Sequence, residues 1–367
     1  MAEAQAIGLP ARPEEGGFAW TGDVRSVLVA NVGLRIPSRV LVRIAAFDAR
    51  SFIELERWGR RIPWALTVAP HARVRFRVTC RKSRLYHSDA VAQRLGDAVS
   101  RAIAGVRTEA DGAGDDELLD RDDSTLFVVR FFRDRCTVSA DASGALLHRR
   151  GYRQATAKAP LRETLAAALL AASAWDGVAP LVDPLCGSGT IPIEAALAAR
   201  RIPPGARRGF AVERWPGVSA ELVRAVRAEL GASTLAAAPG PIVGSDRDAG
   251  AIHDARENAA RATVAADVAL AAHAISALRL PEADRGWIVS NPPYGVRVGE
   301  SGRVRDLWAQ LGNVLHRRAP GWRVTLLSPD VALERQLRIP MHVVARTTNG
   351  GIPVRIVSGV VPAGAGT

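Results

Sequence analysis

The hexapeptide Ser290-Asn291-Pro292-Pro293-Tyr294-Gly295 places an amide, two prolines and a phenol directly after the apolar run Trp287-Ile288-Val289. Proline donates no N–H to a β-ladder and fixes its own φ, so a strand entering this stretch must end there. Such a corner can be a plain strand terminator, or its rigidity can hold Asn291 and Tyr294 around a ligand. The chemistry that suits the second use is attack by an exocyclic amine of an aromatic ring. That nitrogen is a poor nucleophile because its lone pair is delocalised. The Asn291 side-chain oxygen and the Pro292 carbonyl can each accept one amine hydrogen, which aims the lone pair at an electrophile and favours the developing charge. Tyr294 offers a ring face on which a flipped base can stack.

A second constellation lies upstream in "VDPLCGSGT". Here an apolar run ends at Asp183, and Gly187 and Gly189 allow a tight turn where a ligand can approach the backbone. The next strand-like unit, "IVGSD", ends at Asp246, which can accept hydrogen bonds from both hydroxyls of a ribose. No Gly-Lys-Ser/Thr follows, so a P-loop is disfavoured, and the spacing is not the GxGxxG of a dinucleotide site. An adenosyl cofactor without phosphates fits best. Cys186 within the turn reads as a packed small residue, since C5-type base methylation would need a reactive thiol poised at the base.

These residues need a sheet to bring them together. From Ala159 onward the chain alternates strand-like and helix-like segments, ending in "WRVTLLSP", which predicts a doubly wound, mostly parallel sheet. The preceding part is α+β in pattern. It predicts strands at 17–20 and 40–44, helices at 23–31, 51–61 and 89–103, and a strand pair at 125–132 and 136–140. Between them, residues 71–87 contain six Lys/Arg and no acid. Arg73, Arg75 and Arg77 alternate with apolar residues and so share one strand face, with Arg81, Lys82 and Arg84 following. Such a single-sign face suits phosphate contacts as well as solvent. The acidic, glycine-containing stretch Thr108–Asp123 reads as a solvated loop.

The 367-residue chain carries a formal charge of +12, nearly all of it from arginine, and 48% hydrophobic residues. This is enough apolar content for buried cores, and the charge is compatible with a polyanionic partner. No apolar stretch is long enough to span a bilayer, and the N-terminus has no signal-peptide pattern. The three cysteines form no CxxC pair, so free thiols, no metal site and a cytoplasmic location are expected. A monomer is expected.

Taken together, "DASGALLHRRGYRQATAKAPLRETLAAALL", "DPLCGSGTIPIEAALAA", "GSDRDAGAI", "SNPPYG" and "NGGIPVRI" resemble the bacterial THUMP-domain class I S-adenosylmethionine-dependent RNA guanine-N2 methyltransferases. The resemblance covers most of the chain and includes an insertion at "RRIPPGARRGFAVERWPG". It implies a ferredoxin-like region over 1–60, incomplete at its N-terminus, and a THUMP RNA-binding domain over 61–142. A Rossmann-like methyltransferase domain would occupy 143–367. It also implies that Asp183, Gly187 and Gly189 line the methionine end of the cofactor, that Asp246 binds its ribose, and that Glu163 contacts it from the preceding helix. His273 stands where many relatives carry an acid that meets the adenine amine. Asn291, Pro292 and Tyr294 would hold the target guanine of 23S ribosomal RNA or tRNA. The competing readings are an N6-adenine DNA methyltransferase and an RNA-binding protein with an inactive catalytic domain.

Overall fold

The structure, a computed structural model, describes residues 1–109, 124–153, 161–294 and 301–363. Most of the acidic stretch, residues 154–160 and Gly295 lie outside the described residues. The chain divides into two compact units, one of residues 1–147 and 205–232, the other of 148–204 and 233–367.

The first unit opens with α1 (Ala2–Ala6) and a small hairpin, β1 (Arg12–Glu14) and β2 (Gly17–Ala19). There follow α2 (Val24–Gly33), β3 (Leu41–Asp48), α3 (Phe52–Gly59), β4 (Arg73–Arg81), α4 (Ser88–Ala102), β5 (Arg107–Glu109), β6 (Ser124–Phe132) and β7 (Arg135–Asp141). Asp23 and Ser51 cap α2 and α3 by accepting from backbone N–H groups of the first turn, which satisfies donors that a helix start leaves open. The strands form one sheet in the order β3-β7-β6-β4-β5. β4 runs parallel to both neighbours, while β6 and β7 form a tight antiparallel hairpin. Trp64, Phe76 and Phe127 pack ring to ring in its core.

The arginine alternation on β4 requires a correction. Val74, Arg75 and Phe76 are 0%, 3% and 4% exposed, so both faces of the strand are covered where β5 and β6 flank it. Arg75 is an internal side chain whose Nε donates to Ser124 Oγ at 2.7 Å, and it offers no contact to a phosphate. Arg73 is half exposed and faces Glu109 at 3.5 Å. Arg77 is partly buried, whereas Arg81, Lys82 and Arg84 are exposed.

The segment 205–232, with α7 (Ala220–Gly231), completes this unit from far along the chain. Gly205 N donates to Val32 O at 2.9 Å. A Cβ on Gly205 would lie 2.7 Å from the Val32 backbone, so the approach requires glycine. Phe210 is 1% exposed, with the guanidiniums of Arg208 and Arg227 at 5.0 and 5.6 Å from its ring. Arg208 also donates to the carbonyls of Leu146 and Ala145.

The second unit contains α5 (Glu163–Ser173), β8 (Leu181–Asp183), α6 (Thr190–Ala199), β9 (Ile242–Asp246), α8 (Ala249–Arg261), β10 (Val268–Ala272), β11 (Trp287–Ser290), α9 (Ser301–Arg318), β12 (Arg323–Ser328), α10 (Val331–Gln336), β13 (Met341–Asn349) and β14 (Ile352–Val360). Its sheet has the order β10-β9-β8-β11-β12-β14-β13. The first five strands are parallel, and β14 and β13 close one edge antiparallel. Helices cover both faces, as a parallel sheet requires. Leu181 and Val289 pack with α5 and α6, while their neighbours Val182 and Ile288 pack on the other side with α9. This is the doubly wound Rossmann-like sheet expected from the alternating pattern. No described helix is long and apolar enough to cross a membrane.

Phe210→Ala should cost about 3–5 kcal/mol, the range for a fully buried phenylalanine, whereas Ile53→Ala, at a position 81% exposed, should cost little. Urea unfolding followed by circular dichroism checks both; an unshifted transition in Phe210→Ala would mean that 205–232 merely drapes over the unit.

Candidate active site

Candidate functional side chains collect at the carboxyl ends of the parallel strands. β8 lies between β9, which follows it in sequence, and β11, which the chain reaches only after building the opposite edge. Ligands bind outside such a switch point because the loops diverge there. Asp183 ends β8, Asp246 ends β9, His273 follows β10, and Ser290 and Asn291 end β11.

The turn after β8 is built on positive φ angles, +52° at Gly187 and +85° at Gly189. A Cβ at Gly189 would approach Ala255 of α8 to 2.9 Å, whereas one at Gly187 would project into open space. Gly187 is therefore required by its conformation and Gly189 by crowding as well. Asp246 holds this turn: its carboxylate accepts from Gly187 N and from Asp248 N, each at 3.0 Å. Two lone pairs stay available on it for hydroxyl donors. His273 joins the cluster through its backbone N–H, which donates to Asp246 O at 2.9 Å.

Asp183 is 1% exposed. Its Oδ1 accepts from Leu185 N at 3.1 Å and from Ser290 Oγ at 2.6 Å. Burial pushes its carboxyl up to about 7, against the lowering effect of those two donors, with Asp246 adding a smaller upward push. Sequence reading missed Ser290, which is fully buried and ties the end of β8 to the proline corner across 107 residues of sequence. No local pattern marks that contact.

The corner itself is anchored twice more. Trp308 of α9 donates its indole N–H to Pro293 O at 3.1 Å. Asn349, at the tip of the β13–β14 hairpin, donates its side-chain amide to the Tyr294 hydroxyl. Pro292 is buried, and Asn291 is partly buried. Among the described residues, nothing hydrogen-bonds to the buried Asn291 Oδ1.

Glu163 is 3% exposed, which excludes a surface ion pair for it. Burial pushes its carboxyl up to about 7, opposed by the Arg153 guanidinium at 3.5 Å. Arg153 also donates to Leu161 O and Thr190 Oγ1, joining the start of α5 to the start of α6 beside Gly189. Glu163 Oε2 is buried without a hydrogen-bond partner among the described residues. Cys186 is 7% exposed, and burial raises its thiol well above the usual range, so it is packing and not a nucleophile.

These groups fit S-adenosylmethionine. A carboxylate with spare lone pairs suits the ribose, an unpaired buried carboxylate oxygen suits a cationic amine, and the open glycine turn admits the chain between them. The Asp183 carboxyl is raised above its ordinary 3.8 by folding. Its contribution to stability is therefore present at low pH and lost as pH rises from about 4 through about 7. Asp183→Asn should accordingly stabilise the ligand-free protein more at pH 8 than at pH 5 (both on the order of one unit or more from that titration). Ser290→Ala should move the pH dependence of cofactor binding upward, because a donor that favours the charged form is gone. Thermal melts and titration calorimetry across pH check this; parallel pH profiles for wild type and both variants would show that Asp183 does not titrate there.

Comparison with known proteins agrees with this geometry. Residues 150–355 match the family model described as RMKL-like, methyltransferase domain. The Synechocystis protein named "Putative RNA methyltransferase slr0064" is 31% identical, over 93% of this chain and 88% of its own. The Ribosomal RNA large subunit methyltransferase K/L of Syntrophotalea carbinolica is 34% identical over 97% of this chain, and the chain spans 51% of that relative's length. Two solved structures superpose with a TM-score of 0.85. One is a "predicted N6-adenine-specific DNA methylase" from Listeria monocytogenes, 29% identical, covering 98% of this chain and 92% of its own. The other is SMU.472 complexed with SAH, 25% identical, covering 100% of this chain and 95% of its own. Sheet order, glycine turn and family match agree: the chain belongs to the RMKL-like methyltransferase family and uses S-adenosylmethionine.

Proposed function

We propose that the chain methylates the exocyclic N2 of a guanine in RNA, either 23S ribosomal RNA or tRNA, in the cytoplasm. The observation that carries this reading is Asn291 Oδ1, a buried acceptor without a partner among the described residues, at the end of the strand that Ser290 ties to Asp183. S-adenosylmethionine, when bound, would supply an electrophilic methyl group and leave as S-adenosylhomocysteine once its S–CH3 bond breaks. Asp246 and the Gly187–Gly189 turn would hold the cofactor, with Glu163 Oε2 for its amino group and His273 for its adenine. Asn291 Oδ1 and the Pro292 carbonyl each accept one hydrogen of the guanine amine, which turns the nitrogen lone pair toward the methyl group. Tyr294 stacks on the base, its hydroxyl fixed by Asn349. The extra amine proton passes to solvent, since neither acceptor is a base.

The domain assignment that accompanies this reading is a ferredoxin-like region at 1–60, a THUMP domain at 61–142 and the methyltransferase domain at 143–367, from which residues 205–232 depart to pack with the first unit. Arg81, Lys82 and Arg84 are its exposed RNA contacts, with Arg73 and Arg77 at the rim. The name of the Listeria neighbour favours a second reading, N6-adenine methylation of DNA, since an adenine amine needs the same two acceptors. RNA is favoured by the names of the curated relatives.

Asn291→Ala should leave cofactor and RNA binding near normal and lower methyl transfer roughly a hundredfold or more, the scale for deleting one transition-state partner. Single-turnover assays with saturating cofactor, followed by mass spectrometry of the nucleosides, measure both rate and product. Full-rate transfer would reduce the corner to a strand terminator, and N6-methyladenine as product would establish the second reading. Asp246→Ala should weaken cofactor binding at least about tenfold, since a charge-assisted hydrogen bond contributes ~1.5–3 kcal/mol; unchanged affinity by calorimetry would remove Asp246 from the site.

A further inference from the structure

The β6–β7 hairpin turns through Arg133 and Asp134, whose φ angles are +51° and +63°. Two-residue hairpin turns with both central φ values positive strongly favour Asn-Gly or Gly-Gly, because side chains are strained there. This turn carries two long or charged side chains instead. Lys82, facing it at the end of β4, also has a positive φ of +51°. The two loops are fastened together: Arg133 N donates to Arg81 O at 3.2 Å, Asp134 N to Ser83 Oγ at 3.0 Å, and Arg84 N to Asp134 Oδ1 at 2.8 Å. The acid is thus occupied internally, with Arg50 also 3.5 Å from it.

What the fastened loops present is an exposed aromatic ring with a guanidinium over it and further cations on the neighbouring loop. Phe132 is 50% exposed. The Arg133 guanidinium lies over its ring at 5.2 Å. Arg81 is its cross-strand partner on β4. Among the described residues, no carboxylate forms an ion pair with the side chain of Arg81, Lys82, Arg84 or Arg133. Tyr86, 68% exposed, follows two residues after Arg84.

An exposed ring edged by unpaired cations matches a strand of nucleic acid whose bases are free to stack. A paired helix hides its base faces and would use the charges alone. A protein partner would meet the ring in an apolar surround, which these loops do not provide. We propose that Phe132 and Arg133 form a stacking subsite for an unpaired RNA nucleotide, with Arg81, Lys82 and Arg84 holding the flanking phosphates. This inference rests on the RNA-methyltransferase reading above and assigns a recognition role to two residues outside the catalytic unit.

The test uses the full chain and two fluorescent probes, a mixed-sequence single-stranded oligoribonucleotide and the fully paired duplex of the same sequence. Phe132→Ala should lose about tenfold in affinity for the single strand, the scale of one stacked base, and leave duplex binding unchanged. Arg81→Ala should lower the single-strand salt slope by about 0.7. Arg133→Gly removes the stacking cation and relieves the positive φ, so it should raise the melting temperature while weakening single-strand binding. That opposed pair of shifts is not produced by a merely structural turn. Wild-type affinity in both Phe132→Ala and Arg133→Gly would overturn the subsite, as would a polyglutamate probe competing as well as RNA. Transfer of labelled methyl groups from S-adenosylmethionine to total RNA by wild-type protein is measured alongside. Methylation with unaltered binding by the variants removes the subsite alone, whereas no methylation in the presence of intact probe binding removes the RNA-methyltransferase reading.

Discussion

The carboxylate of Asp183 is buried where the parallel sheet changes direction, and the neighbouring loops are arranged to make its charge tolerable. An isolated buried carboxylate would cost several kcal/mol, more than packing around it recovers. Here the Leu185 amide and the Ser290 hydroxyl both donate to Oδ1, and hydrogen bonds to charged groups contribute about 1.5–3 kcal/mol each. The second donor matters beyond its energy. Ser290 precedes Asn291, so the group that donates to the end of β8 also fixes the start of the Asn-Pro-Pro-Tyr corner. The contact is compatible with the register between β8 and β11, since a one-residue slip would turn the hydroxyl to the opposite face of the sheet.

A second acid repeats the arrangement one strand away. Asp246 accepts from the amide of Gly187 and so shapes the turn whose open side faces the ligand. In the proposed reading the same carboxylate would also meet a ribose, so that one group would serve both to preorganise the turn and to recognise the cofactor. On the far side of the turn, Arg153 joins Glu163 to Thr190. The helix starts around the glycine turn are therefore held by charged side chains instead of by apolar packing alone. The cost of burying them is the raised carboxyls of Asp183 and Glu163, and perturbed groups of this kind collect at functional sites.

The first unit follows a different logic. Its sheet is continuous through β3, β7, β6, β4 and β5, yet its core is finished by Phe210, Val212 and Trp215 from an excursion of the chain. Polar clamps secure that excursion: Arg208 and Arg227 donate to backbone carbonyls while flanking Phe210. Guanidiniums suit this task, since each offers five donors in a fixed plane and a face for the ring.

The local rules of strand endings were enough to place the candidate residues together. Acids at the ends of apolar runs, two glycines at a tight turn and two prolines after a strand each leave a mark within a few residues, and Asp183, Gly187, Gly189, Asp246 and Asn291 are all at strand ends on one edge. The alternating pattern after Ala159 likewise determined the doubly wound sheet, because burial on both faces and the helix period are written into adjacent residues. What the sequence could not decide were contacts between residues far apart in the chain. Period two on β4 put three arginines on one face, but only the placement of β5 and β6 beside it decided that Arg75 is internal. Ser290 meeting Asp183, Asn349 meeting Tyr294 and residues 205–232 joining the first unit all depend on which elements the fold makes neighbours. Composition and periodicity record how much surface a segment buries, and they carry no information about which partner buries it.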